Sequence, residues 1–149
     1  MARNRISLTL DAQKMLNKIN KANGNVDKAV YGAAKAGANA YEAALKTTCK
    51  MSNVPDSVTN YIESEIKQSG NRTTAIVGWR LQNYDPTNPS AGFKAIFLNY
   101  GTPRRTTNTG ANRGAIVGRG FIGKAKKMSK GEIEQAQIEF LKEVMKGLK

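Results

Sequence analysis

Histidine is absent from the 149 residues, so the side chains that could do chemistry are few: one thiol, scattered carboxylates, a glycine-rich run and a set of arginines. Without imidazole the chain lacks the usual general base, the usual partner of a nucleophile and the commonest zinc ligand. Glu63 and Glu65 could form an acid–base pair, but they alternate with Ser64 and are followed by Lys67, which puts all three charges on one solvated strand face. Cys49 is the only cysteine. It has no partner for an internal disulfide, no neighbour at metal-ligand spacing, and the character of a buried structural thiol on a helix. The expectation is a protein that is not an enzyme and has no catalytic residue, cofactor or metal.

The run Gly118-Arg119-Gly120-Phe121-Ile122-Gly123-Lys124 matches a dinucleotide fingerprint and most of a phosphate-binding P-loop. Its context argues against both. Ala125 stands where a P-loop needs Ser or Thr to hold magnesium, and too little chain follows to build a βαβ unit. Glu143, at the distance where the fingerprint wants an acid on the ribose, belongs to an amphipathic helical pattern.

The arginines are the stronger signal. The chain carries 24 basic and 11 acidic side chains, a net charge of +13. Between Asp85 and Glu132 there is no acid, while Lys94, Arg104, Arg105, Arg113, Arg119, Lys124, Lys126, Lys127 and Lys130 fall there. Such an excess attracts an anionic partner and says little about fold. Two readings follow for the basic segment, beside the plain one that it only aids solubility. Its arginines neutralise nucleic-acid phosphates, or they fork onto carboxylates of a protein neighbour with Phe121 as an apolar anchor. The scarcity of aromatics and the lack of a basic recognition helix weigh against specific nucleic-acid readout.

The elements that must position these residues read as one α+β domain over residues 1–149. Ile6, Leu8 and Leu10 alternate as a short strand before Asp11, a helix N-cap, with a helix to about Ala22. Asn23-Gly24-Asn25 is a turn, and Val26 to about Met51 reads as one long alanine-rich helix. Gly32 and Gly37 weaken that helix by up to about 1 kcal/mol each, which close approach of a neighbour would explain. Pro55-Asp56-Ser57 ends the helical half.

Ile62, Ser64 and Ile66 alternate as a half-buried strand, Ser69-Gly70-Asn71-Arg72 is a hairpin turn, and Thr73 to Trp79 pairs back with Ala75, Val77 and Trp79 on one face. Arg80 to Gly92 reads as a loop and Phe93 to Tyr100 as a third, nearly continuous apolar strand covered on both faces. Residues 101–120 are too polar to offset the entropy of ordering and read as a long mobile basic loop. Ser129-Lys130-Gly131-Glu132 reads as a capping box opening an amphipathic helix through Ile133, Ala136, Phe140, Val144 and Leu148. The predicted fold is therefore a long N-terminal and a C-terminal helix on a small, mainly antiparallel sheet of three to four strands, with the long basic loop.

The order of these elements resembles the tail-completion, or head–tail joining, family of tailed bacteriophages and prophages. The resemblance is carried by Phe97-Leu98-Asn99-Tyr100-Gly101-Thr102 and by Arg119-Gly120-Phe121-Ile122-Gly123-Lys124-Ala125, and its order spans roughly residues 26 to 148. The chain departs at Asn99, where an acid is common, at Gly120, where Pro is common, and after the long helix, where only Pro55 of a longer motif is kept.

The resemblance implies a non-catalytic virion assembly protein that forms a homo-oligomeric ring, commonly of six, in the neck between capsid connector and tail. Its partners would be itself, the neighbouring connector and tail proteins and the passing DNA, without sequence specificity. The implied interaction residues are Tyr100, Gly101, Thr102, Arg104, Arg105, Arg113, Arg119 and Phe121. The N-terminal residues lack an apolar signal core and no run approaches the ~20 apolar residues of a membrane span. The expected location is thus the host cytoplasm during assembly and then the virion, with no membrane partner. A small basic nucleic-acid-binding protein and a tail terminator ring are the alternatives.

Overall fold

A computed structural model describes residues 3–6, 8, 10–70, 72–80 and 90–148. Its spine is the helix the alanine-rich segment predicts: α2 spans Val26–Met51, preceded by β1 (Arg3–Ile6) and α1 (Leu10–Lys21). At about 1.5 Å per residue α2 is nearly 40 Å long. The Asn25 side chain opens it by accepting a hydrogen bond from the Lys28 N–H at 2.9 Å, and Asn23, at φ 55, makes the preceding turn. α1 begins one residue before Asp11, so that carboxylate lies in the first turn and pairs with Lys14 instead of capping. β1 likewise ends at Ile6, earlier than the alternation through Leu10 suggested.

After α2 come a single helical turn, α3 (Asp56–Thr59), and the hairpin β2 (Ile62–Ser69) and β3 (Arg72–Trp79). Ser69 pairs with Arg72 across the turn, where Gly70 has φ 55; Asn71 lies outside the described residues. β1 pairs antiparallel on the other side, giving the order β1-β3-β2 with β3 central. Ile62, Ser64 and Ile66 stand opposite Trp79, Val77 and Ala75, so one face of the pair collects the apolar residues. α2 packs against that face. Ala38, Tyr41, Leu45 and Cys49 of α2 meet Ala75, Val77 and Trp79 in a continuous core, and the buried Trp79 indole donates to the Val58 carbonyl at 2.7 Å. Glu63 and Glu65 lie on the solvated face, paired with Arg80 and Lys67 in exposed bridges worth at most about 1 kcal/mol each.

The segment expected to be a third strand is a helix, α4 (Ala91–Tyr100). A short apolar run has no period that separates strand from helix. Here the buried positions Gly92, Ala95 and Asn99 recur at three- and four-residue steps, and Ile96 and Leu98 pack on the core. Residues 81–89 of the expected loop lie outside the described residues. The chain continues through β4 (Gly101–Thr106), β5 (Asn112–Val117), α5 (Phe121–Met128) and α6 (Lys130–Lys146). The result is an α+β fold with long N- and C-terminal helices. Among the described residues its sheets are the three-stranded one and a separate two-stranded β4–β5 ribbon. Among the described residues no helix is long and apolar enough to cross a membrane.

α6 and α2 lie unusually close because glycines line the contact. A methyl group at Gly32 would overlap the end of the Phe140 ring, and one at Gly37 would stand 2.8 Å from Gln137 Nε2. The two helix-weakening residues are thus the price of helix contact, as their positions suggested. Gln137 and Leu141, rather than Ala136, are the fully buried residues of α6, and a second core of α1, α2 and α6 forms around Leu16, Ile19, Ala33 and Leu141. The expected capping box does not form. Ser129 has helical φ and ψ, its N–H donates to Ala125 O and its carbonyl accepts from Ile133 N. α5 therefore runs on into α6, and there is no free helix end for the hydroxyl to cap.

Two consequences are measurable. Gly32→Ala should destabilise by about 1–3 kcal/mol in denaturant titration, because overpacking outweighs the ~1 kcal/mol gained in helix propensity; truncating Phe140 to Leu in the same chain should recover part of the loss. Burial pushes the Tyr41 phenol up from 10.0 to about 12 and the Cys49 thiol up from 9.0 to about 11. The unfolded chain then gives up these protons first as pH rises, so stability should fall between about pH 9 and 12. Between pH 9 and 11 the fall should be shallower in Cys49→Ala.

Candidate functional site

The basic segment is a hairpin arm, not an irregular loop. Gly101 ends α4 at φ 81 while its N–H donates to Phe97 O, a backbone conformation that glycine adopts at little cost. A side chain there would also meet the Ile116 carbonyl at 2.5 Å. β4 then pairs antiparallel with β5 through Gly101–Val117, Thr102–Ile116, Arg105–Gly114 and Thr106–Asn112. Thr102 Oγ1 accepts from the Ile116 N–H at 3.0 Å.

The tip is closed by Thr107 N–H to Ala111 O at 2.8 Å and Gly110 N–H to Thr107 O at 2.9 Å. The polar strands carry no apolar alternation, which is why the sequence reads as a loop; their order comes from backbone pairing. The register breaks twice. Pro103 and Arg104 oppose Ala115 alone, and Arg113 is the extra residue between two paired positions. Asn112 Oδ1 holds Gly114 N–H at 2.8 Å across Arg113. Such bulges increase the twist of a ribbon and re-aim the residues within them.

The arm's root is locked to the body. Arg119 N–H donates to Leu98 O and Gly120 N–H to Asn99 O, while the buried Asn99 side chain accepts from Ile122 N–H at 2.9 Å. A side chain on α4 thus caps α5, the task a neighbouring residue usually performs. The amides of Arg119, Gly120 and Ile122, in the middle of the 118–124 run, are thus engaged within the chain. Gly120 has φ 62, which proline cannot adopt, so its place in this chain has a conformational reason.

Arg119 Nη1 donates to the Ser52 and Asn53 carbonyls at 3.2 and 2.6 Å, a cation at the negative C-terminal end of α2. Phe121 is fully buried, edge-on to Trp79 with ring centroids 6.0 Å apart. Of the residues expected to dock on a neighbour, Phe121 is thus placed in the core of the folded chain, and Arg119 is half-buried with its Nη1 on the end of α2. Gly101 and Thr102 build the hairpin itself.

What remains outward is divided along the arm. Arg104, Arg105 and Arg113 are exposed on the ribbon. At the root stand Tyr100, 69% exposed, which directly precedes Gly101, and Val117, 84% exposed, which pairs with Gly101. Beyond its own strands, the arm's main contacts among the described residues are with α4. Charge-assisted hydrogen bonds from three guanidinium groups suit anionic oxygens, and the root suits an apolar partner. Sequence reasoning missed Asn99 and Val117. An amide inside an apolar run, at a place where the resembling family commonly has an acid, was the hint of the first, and the second gave none.

Asn99→Ala should cost about 1–2 kcal/mol in equilibrium unfolding through loss of the α5 cap, whereas Asn99→Asp, which keeps the acceptor oxygen, should cost less. Comparison of the chain with protein-family models, with curated proteins and with solved structures finds no match.

Proposed function

We propose that this chain is a structural assembly protein of a tailed phage or prophage, a subunit of a homo-oligomeric ring at the neck between capsid connector and tail. The observation that carries the reading is the apolar root of the arm. In a chain of net charge +13, several large apolar side chains are left in water, Leu10, Met51 and Tyr61 among them, and two of these, Tyr100 and Val117, flank the root of the β4–β5 arm. Exposed apolar side chains beside a projecting element are what a subunit contact buries. The open edges of β1 and β2 add surfaces to which a different face of the next copy can fit, as a closed ring requires. The resemblance of Phe97–Thr102 and Arg119–Ala125 to motifs of tail-completion proteins supplies the neck and the six-fold ring in this proposal, while the helix at Ala91–Tyr100 and the β4–β5 hairpin depart from the strand and loop expected there.

The test is assembly. Sedimentation and negative-stain microscopy from micromolar to near-millimolar protein should show concentration-dependent rings for the wild type. Val117→Arg combined with Tyr100→Ser should stay monomeric with unchanged circular dichroism. A wild type that remains monomeric throughout, or normal particle assembly by the double variant, overturns the reading.

A further inference from the structure

The outer part of the arm has a different chemistry from its root. From Thr102 to Ala115 the ribbon carries three arginines, threonines, asparagines and glycines, with no acid and no large apolar side chain. Arg105 and Arg113 converge with Thr106, Thr107, Asn108 and Thr109 around an open hollow of about 690 Å³ at the tip. The tip is already ordered by its own hydrogen bonds, Thr107 Oγ1 accepting from Ala111 N–H at 3.0 Å and lying 2.8 Å from Thr109 Oγ1. Ligand binding there meets little ordering cost.

We infer that the tip of the β4–β5 arm binds the phosphate backbone of duplex DNA without sequence preference. A protein partner is disfavoured because, of the Trp, Tyr and Arg anchors that dominate protein interfaces, this stretch supplies arginines alone, with no large apolar or aromatic side chain beside them to exclude water. The tip of a second copy is disfavoured as the occupant because it would bring the same acid-free, arginine-bearing surface against this one. Single strands are gripped by stacking bases on aromatic rings, and the residues from 101 to 120 include no aromatic. A twisted two-stranded ribbon fits the major groove of a duplex, where arginines and hydroxyls on its outer surface meet phosphates. The flanking exposed lysines of α5, Lys124, Lys126 and Lys127, extend the same sign of charge along the body.

The inference concerns the isolated chain and does not require the ring, so it stands or falls separately from the proposed neck role. Fluorescence anisotropy with a short random-sequence duplex, between about 50 and 200 mM salt, reads affinity and its salt slope. The wild type should bind two unrelated duplexes equally and bind oligo-dT and polyglutamate more weakly. Arg104→Gln, Arg105→Gln and Arg113→Gln together should make the slope of log K against log salt shallower by about 3. A control with Lys18→Gln, Lys21→Gln and Lys28→Gln removes the same charge from exposed sites at the α1 end and should change the slope less. Equal losses in the two triple variants, no loss in the arginine variant, or tighter binding to polyglutamate than to duplex would overturn the assignment.

Discussion

The close approach of α6 to α2 is the constraint on which the rest of the molecule depends. α2 contributes fully buried residues to both cores, with its middle and C-terminal part against the sheet and α5, and its N-terminal part against α1 and α6, while α6 reaches the first core through Ile133. That double duty works because the face towards α6 is pared down to Gly32, Ala33 and Gly37, so that Phe140, Gln137 and Ile133 can reach the α2 backbone. Interiors pack at the density of organic crystals, and a close contact of this kind sets where every flanking element sits. Once α6 is placed, the continuous turn through Ser129 places α5. Phe121 at the start of α5 then closes over Trp79 and the sheet.

The second organising feature is the lock between α4, the arm's return and the end of α2. Asn99, Gly118, Arg119 and Gly120 join three segments far apart in sequence through backbone carbonyls, a cap and a guanidinium. The lock separates two kinds of residue that look alike in the sequence. Arg119 and Phe121 work inward and hold the fold, while Arg104, Arg105 and Arg113 work outward from the ribbon. Four arginines in one basic stretch thus have two distinct physical tasks, and their neighbours in space, rather than their type, decide which.

What the sequence made legible was local and periodic. The bounds of α2 follow from a long alanine-rich run with Asn25 before it, and the β2–β3 register follows from alternation interrupted by Gly70. The burial of Cys49 and the tight contacts at Gly32 and Gly37 were readable because small residues inside a helix need a packing reason. The misreadings arose where local pattern and tertiary contact part company. The ten residues of α4 are apolar on too many sides to show a period. The β4–β5 ribbon is held by backbone pairing among polar residues, and Ser129 looks like a cap only when α5 is not seen before it. The Asn99 cap joins residues 23 apart, a link with no sequence signature.

The lock also makes the projecting ribbon mechanically separable from the body. Residues 103 to 115 contribute no fully buried side chain, so changes there leave the packed interior untouched, whereas a change at Gly101 or Gly118 strikes backbone on the far side of the junction. Selection can therefore retune length, charge and reach at the outer end at little thermodynamic risk, while the two glycines at its base stay frozen. Divergence among descendants of this chain should concentrate in those thirteen or so positions, with the scaffold beneath changing slowly.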